Sequence, residues 1–272
     1  MARGLVAFAL GTDTASSGGV PAGFNNLIGC KPIPGVVSTA GILPRVQNLG
    51  LSILEGQSMV VRAVLFDMDG VLISSIAADE RSWFRWAKLH GMQDTFSIHS
   101  THGRRTVDTI RALRPDLDLA IELNRMEDFD AEDTFGLTLY PGVQDLLVQL
   151  SPTQWSIVTS ASERVMRHRL GILGVSLPLH IVTADHVRSG KPNPEPYQLA
   201  AAQLGVKPSE CLVIEDAPSG IRAGKSAGSP VLAVASSHKP QELYEADWII
   251  KSLNDLELTT GEDGLITCRF VD

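Results

Sequence analysis

Asp67 and Asp69, in Phe66-Asp67-Met68-Asp69-Gly70-Val71, stand two residues apart directly after an apolar run, and Gly70 permits a sharp turn. A carboxylate pair at the end of a buried strand is costly unless a cation or a proton settles it. A calcium loop would place a third oxygen ligand two residues beyond the second carboxylate, and Val71 stands there instead. Glu215-Asp216 repeats the pattern after Cys211-Leu-Val-Ile214. In a parallel sheet both pairs emerge at one edge, where Asp67, Asp69 and Asp216 could converge on a single hard cation. A few carboxylate oxygens suit magnesium, which keeps coordination positions open for phosphate and water. An anion bound beside so many carboxylates needs a positive charge. Lys191, in Ser189-Gly-Lys-Pro-Asn-Pro-Glu-Pro196, lies in a proline-rich loop that can be neither helix nor central strand. Its ammonium could neutralise both Asp67 and a bound phosphate. Thr159 and Ser160, after Trp155-Ser-Ile-Val158, bring hydroxyls and backbone N–H groups to the same edge, or equally cap the helix that follows.

These residues need a scaffold, and the pattern of apolar runs supplies one. Val60-Val-Arg-Ala-Val-Leu-Phe66 is short and rich in β-branched residues, and reads as a central strand. Similar runs recur at 155–158, 211–214, 231–234 and 248–250, separated by helix-length amphipathic segments around 142–150, 162–173, 194–204 and 218–227. Such alternation implies an α/β fold with a parallel sheet covered on both faces. Residues 76–140 depart from it, with helical patterns at Ala77–His90 and Thr106–Leu113 and no convincing strand. A helical insertion after the first strand of an open α/β sheet lies over the carboxyl edge, where it can serve as a lid. Gly220-Ile-Arg-Ala-Gly-Lys-Ser226 nearly spells a nucleotide-binding loop. It has three residues between its glycines where the rule needs four, and reads as a helix packed by small residues.

Composition sets outer bounds. The 272 residues carry 23 basic against 31 acidic side chains and no Lys/Arg run, which argues against a nucleic-acid or anionic-membrane surface. No apolar stretch reaches the roughly 18 residues of a spanning helix, and the apolar start is too short for a signal peptide. Three scattered cysteines, Cys30, Cys211 and Cys268, fit a reduced cytosol better than a disulfide framework. Composition also breaks near Met59: 10 of the 24 glycines fall in residues 1–58, and every Trp and Tyr lies beyond. Residues 1–58 hold 3 basic and 2 acidic residues, leaving 20 against 29 for the other 214. Two unlike pieces are therefore expected.

Asp67-x-Asp69-Gly-Val, Thr159-Ser160, Lys191 in Gly-Lys-Pro and Glu215-Asp216-Ala-Pro-Ser-Gly-Ile221 follow the order and spacing of the four motifs of the haloacid dehalogenase (HAD) superfamily. From about residue 60 to 272 the chain resembles its fungal sugar-phosphate and glycerol-phosphate phosphatases. His102-Gly-Arg-Arg-Thr106 and Gly190-Lys-Pro-Asn-Pro-Glu-Pro-Tyr197 are close to that group's wording. The resemblance implies a Rossmannoid parallel-sheet core at 59–76 and 141–272, a helical cap at 77–140 and a loop-rich N-terminal extension. It implies that Asp67 attacks phosphorus while Asp69 serves as acid and then base. It further implies that Asp67, the Asp69 backbone carbonyl and Asp216, with Glu215 assisting, hold Mg2+, and that Lys191 with Ser160 or Thr159 holds the phosphate. Arg105, backed by His102 and Arg104, is the expected substrate contact from the cap. His99 and His102 lack the carboxylate partner that a metal pair would need. The expected substrate is a small phosphorylated sugar or polyol, and the expected state a monomer. A β-phosphoglucomutase-type mutase would share this core and nucleophile, and a non-catalytic binding protein would share the fold alone.

Gly11-Thr-Asp-Thr-Ala-Ser-Ser-Gly-Gly-Val-Pro-Ala22 and the segment through Pro32 resemble the amidase signature family, with Ser17 at the nucleophile position. Ser16 and Gly19 depart from that family's usual Gly and Arg. Its catalytic Lys and bridging Ser lie upstream of the matched segment, so no amidase activity is expected. Residues 1–58 are expected to be loosely packed or disordered, a fragment ahead of a start at Met59.

Overall fold

Arg62 divides the apolar run at 60–66 into two strands that join different sheets. The computed structural model describes residues 58–98, 101 and 103–271. The expectations for residues 1–57, His99 and His102 lie outside the described residues. Strand β1 (Ser58–Val61) pairs antiparallel with β11 (Ile266–Phe270), which also pairs with β10 (Leu256–Thr260). The Arg62 N–H then donates to the Glu210 carbonyl at 2.8 Å, and β2 (Ala63–Phe66) enters the main sheet. The single strand expected over 60–66 is thus corrected. A charged residue in a short apolar run marks the point where the chain changes partners.

All four residues of β2 are buried, as the continuous apolar reading requires. Val64 and Phe66 pack into one core with Ile157, Leu212 and Ile214, and Ala63 and Leu65 pack on the opposite face with Val158 and Val213. The Phe66 ring meets Trp155 edge-on, with centroids 5.9 Å apart.

The chain then leaves through β3 (Ile73–Ser74), α1 (Ile76–Leu89), α2 (Thr106–Leu113) and α3 (Leu119–Glu132), and returns through β4 (Thr138–Leu139) and α4 (Val143–Leu147). The two short strands pair antiparallel at the root of this excursion. Two residues are too few for an alternating pattern, so β4 escaped the reading of 76–140 as free of strands. Trp83, Trp86, Ile110 and Met126 from α1, α2 and α3 form a separate apolar cluster, so this helical layer has its own core.

The remaining elements are β5 (Trp155–Val158), α5 (Glu163–Ile172), β6 (His180–Val182), α6 (Glu195–Gln203), β7 (Cys211–Glu215), α7 (Pro218–Ala227), β8 (Val231–Val234) and β9 (Trp248–Ile250). Strand β6 is not among the expected runs, and only a short 3-10 turn separates β8 from β9. The main sheet is parallel throughout, in the order β6-β5-β2-β7-β8-β9. The chain therefore builds outward from β2 on one side and then on the other. The carboxyl ends of β5, β2 and β7 flank the resulting switch point, where open α/β sheets bind ligands. Among the described residues no helix is long and apolar enough to cross a membrane.

Phe66→Ala is expected to lower unfolding free energy by about 3–5 kcal/mol in urea titrations. A loss under about 1 kcal/mol would show that β2 is not the packing centre.

Candidate active site

The Asp67 N–H donates to the Ile214 carbonyl at 2.9 Å, extending the β2–β7 ladder by one residue. This pins the backbone from which the Asp67 side chain leaves the sheet edge. Lys191 reaches that carboxylate from the proline-rich loop: its Nζ donates to Asp67 Oδ1 at 2.5 Å, Glu215 Oε1 at 2.7 Å and the Val158 carbonyl at 2.9 Å. An ammonium has three protons, and here each has an acceptor. That satisfaction lets Lys191 remain charged at 4% exposure. Burial pulls its pKa down, but Asp67 and Glu215 outweigh that and raise it above the usual lysine range.

Glu215 is committed on both oxygens. Oε1 also accepts from the Tyr197 hydroxyl at 2.6 Å, and Oε2 accepts from the backbone N–H groups of Asp216 at 3.1 Å and Ala217 at 3.4 Å. Gly220 on α7 faces this carboxylate, and a Cβ there would collide with it. The small-residue reading of Gly220–Ser226 therefore acquires a purpose, since Gly224 likewise packs closely against Val213 and Val231. Asp216 accepts from the Ser237 hydroxyl. Gly70 holds φ +87°, and a Cβ at that position would meet the Asp216 carboxylate. Both the turn and the close approach thus require glycine at residue 70.

Asp67, Glu215 and Asp216 are buried, with one oxygen of each within 4.8 Å of the others. Burial pushes the Asp67 carboxyl up to about 8 against the pull of Lys191, and burial with the neighbouring carboxylates raises Asp216 as well. Three carboxylates around one ammonium leave an excess of negative charge. An all-oxygen donor set in that condition fits a hard divalent cation. The Asp69 side chain points elsewhere, with Oδ1 accepting from the Ser75 hydroxyl and from Arg169 Nη1 at 3.0 Å. Asp69 is not among the three carboxylates that cluster.

A cavity of about 400 Å3 opens between this edge and the helical layer, bordered by Asp67, Asp69, Asp216 and Ser160. Thr159 is buried, and its Oγ1 accepts from the Ala161 N–H at 3.1 Å. Ser160 borders the cavity and donates to the Gly103 carbonyl at 3.0 Å. Arg104 is exposed at the cavity wall. Arg105 borders the cavity too, but its guanidinium is engaged by protein. Nε and Nη2 donate to Asp108 at 2.8 and 2.9 Å, while Nη1 and Nη2 donate to the Val187 and Arg188 carbonyls at 2.8 and 2.9 Å. It binds the helical layer to the loop leading into Lys191.

Sequence reasoning missed Arg169, Tyr197, Ser237, Asp79 and Asp130. Arg169 did leave a signal: it shares the buried stripe of α5 with Val165, Met166 and Leu170, an apolar face where a lone Arg needs acceptors.

A family model for haloacid dehalogenase-like hydrolases matches residues 61–228, and one for amidases matches residues 1–53. Hexitol phosphatase A of Escherichia coli is 38% identical over 211 residues, spanning 76% of this chain and 98% of that protein. Glycerol-1-phosphate phosphohydrolase 1 of Saccharomyces cerevisiae is 32% identical over 218 residues, spanning 75% of this chain and 87% of the yeast protein. A solved hydrolase structure from Pseudomonas syringae superposes with a TM-score of 0.65 at 22% identity, covering 72% of this chain and 95% of that one, which supports the fold. With Asp67, Lys191 and Asp216 all inside the matched region, the chain belongs to the haloacid dehalogenase-like hydrolase family.

Proposed function

We propose that this hydrolase is a magnesium-dependent phosphatase acting on the monoester of a small sugar or polyol, with residues 77–140 as a cap over a core of 59–76 and 141–272. The observation that carries the reading is the buried Asp67 carboxylate, fixed through Oδ1 by Lys191 at the mouth of a cavity shared with Asp69 and Ser160. Names of relatives that act on hexitol and glycerol phosphates support the substrate class, and about 400 Å3 suits a ligand of that size.

Asp67 Oδ2, which has no protein donor among the described residues, attacks phosphorus as the bond to the sugar oxygen breaks. Asp69 gives its proton to the departing alkoxide, and the resulting carboxylate takes a proton from water attacking the aspartyl-phosphate. Phosphate leaves and Asp67 is restored. Lys191 holds positive charge behind Asp67, with its protons on Asp67, Glu215 and the Val158 carbonyl, and Ser160 borders the cavity that receives the phosphoryl group. Asp67, Asp216 and the Asp69 carbonyl, with Glu215 adjoining, would hold Mg2+, which when bound draws charge from the phosphoryl group.

Asp67→Asn and Asp69→Asn should each lower phosphate release from a hexitol phosphate by about 100-fold or more. Undiminished release by Asp67→Asn would refute the mechanism. Across glycerol phosphate, hexitol phosphates and 2-deoxyglucose 6-phosphate, the product should be free phosphate. Conversion of a hexose 1-phosphate to its 6-phosphate without net release would identify a mutase instead. The raised Asp67 pKa adds a pH signature. Between the ordinary carboxylate value of 3.8 and about 8, the metal-free folded protein retains a proton that the unfolded chain has lost, so this group's contribution to stability falls as pH rises. Magnesium must displace that proton. The rise in melting temperature at fixed Mg2+ should therefore grow from about pH 6 to about pH 8, and a flat or declining rise would contradict the assignment.

A further inference from the structure

Arg169 is a buried cation that the mechanism above does not use. It is 2% exposed on α5, and a guanidinium so placed is tolerated only where acceptors surround it. Three carboxylates do so. Nη1 donates to Asp69 Oδ1 at 3.0 Å, Nη2 donates to Asp79 Oδ1 at 2.5 Å, and Nη2 lies 3.4 Å from Asp130 Oδ1. Asp79 belongs to the first turn of α1 and Asp130 to α3. One core side chain therefore bridges Asp69, in the turn after β2, to two separate helices of the cap.

The bridge restricts Asp69 in a specific way. Its Oδ1 receives both Arg169 and the Ser75 hydroxyl, whereas Oδ2 has no protein donor among the described residues. A guanidinium carries five N–H donors in a fixed plane and cannot accept a proton. Oδ1 is thus occupied, and Oδ2 is the oxygen that can carry a proton toward the cavity. The network is also incompletely satisfied: Asp130 Oδ1 and Arg169 Nε are buried without a hydrogen-bond partner among the described residues. Stability alone is a weak reason for such a cluster, since buried ion pairs commonly do no better than apolar packing.

We propose that Arg169 is a positioning residue for proton donation by Asp69, and that Asp79 and Asp130 hold its guanidinium so that seating the cap and orienting the acid are one event. The proposal rests on the phosphatase reading. It predicts a defect that depends on the leaving group. A sugar alkoxide needs a proton to depart, whereas p-nitrophenolate leaves without one.

The full chain with Arg169→Lys, Asp79→Asn or Asp130→Asn would be assayed with Mg2+ on a hexitol phosphate and on p-nitrophenyl phosphate. Lysine keeps the charge but loses the planar fork. Leaving-group release would be timed within a single turnover, before the water step in which Asp69 serves as base for either substrate. Arg169→Lys should slow hexitol release by about 100-fold with apparent affinity within about threefold, and the loss in p-nitrophenol release should be at least about tenfold smaller. Asp69→Asn should show the same selectivity in this step. The Asp79→Asn and Asp130→Asn variants should show it at about tenfold loss on the hexitol phosphate. Equal losses of single-turnover release on both substrates, or changes in affinity alone, would overturn the proposal. If circular dichroism shows Arg169→Lys unfolded, the near-isosteric Asp79→Asn decides by the same ratio. Asp67→Asn separates the two levels: it must abolish hydrolysis of both substrates, and if it does not, the phosphatase reading itself fails.

Discussion

A single ammonium group ties together the ends of the three central strands. Lys191 Nζ touches Asp67 just beyond β2, the carbonyl of Val158 at the end of β5, and Glu215 at the end of β7. Desolvating an ammonium and two carboxylates costs several kcal/mol per ion, and only complete pairing offsets it. Removing the lysine would leave two buried carboxylates facing each other, a loss of about 3–5 kcal/mol. The strand order, with β2 between β5 and β7, makes these three acceptors neighbours. Much of the surrounding detail follows from this contact: Tyr197 and two backbone N–H groups complete Glu215, and Gly220 clears the space it occupies.

The helical layer and the sheet are held by different physics. Each has its own apolar cluster, with Trp83 and Trp86 in the helical layer and the β2 neighbours in the sheet. Between them lie polar contacts: Arg105 on the carbonyls of Val187 and Arg188, Ser160 on the Gly103 carbonyl, and Arg169 on Asp79 and Asp130. Such contacts exchange for water more readily than an apolar seam would separate. Arg105 lies against Gly190, next to Lys191, so the helical layer holds the loop that carries Lys191.

The residues that the proposed mechanism places nearest phosphorus stand out in the sequence because each breaks a strong local pattern. Asp67 and Glu215-Asp216 end apolar runs, and Lys191 interrupts a run of prolines. The lettering could not show where side chains of middling ambiguity would turn. Arg105 reads as a substrate contact, and only the fold shows that the Val187 and Arg188 carbonyls reach its guanidinium from 82 and 83 residues away. Arg169 stands out only as a charge on the apolar face of its helix, and its acceptors appear only because α1 and α3 fold back over α5. Tyr197 sits in an alanine-rich helix with little amphipathic signal, and its hydroxyl acquires meaning only from Glu215 beneath it. Position after a strand can be read locally, but convergence across a hundred residues cannot.

The central claim is that the Lys191-held carboxylate of Asp67 becomes covalently phosphorylated. Acid quenching within a single turnover, followed by peptide mass spectrometry, tests it directly. The account predicts one phosphoryl group on the peptide containing Asp67, removed by hydroxylamine and absent from Asp67→Asn. Phosphate released over the same turnover with no adduct at any quench time would contradict it, and would point to direct attack by water.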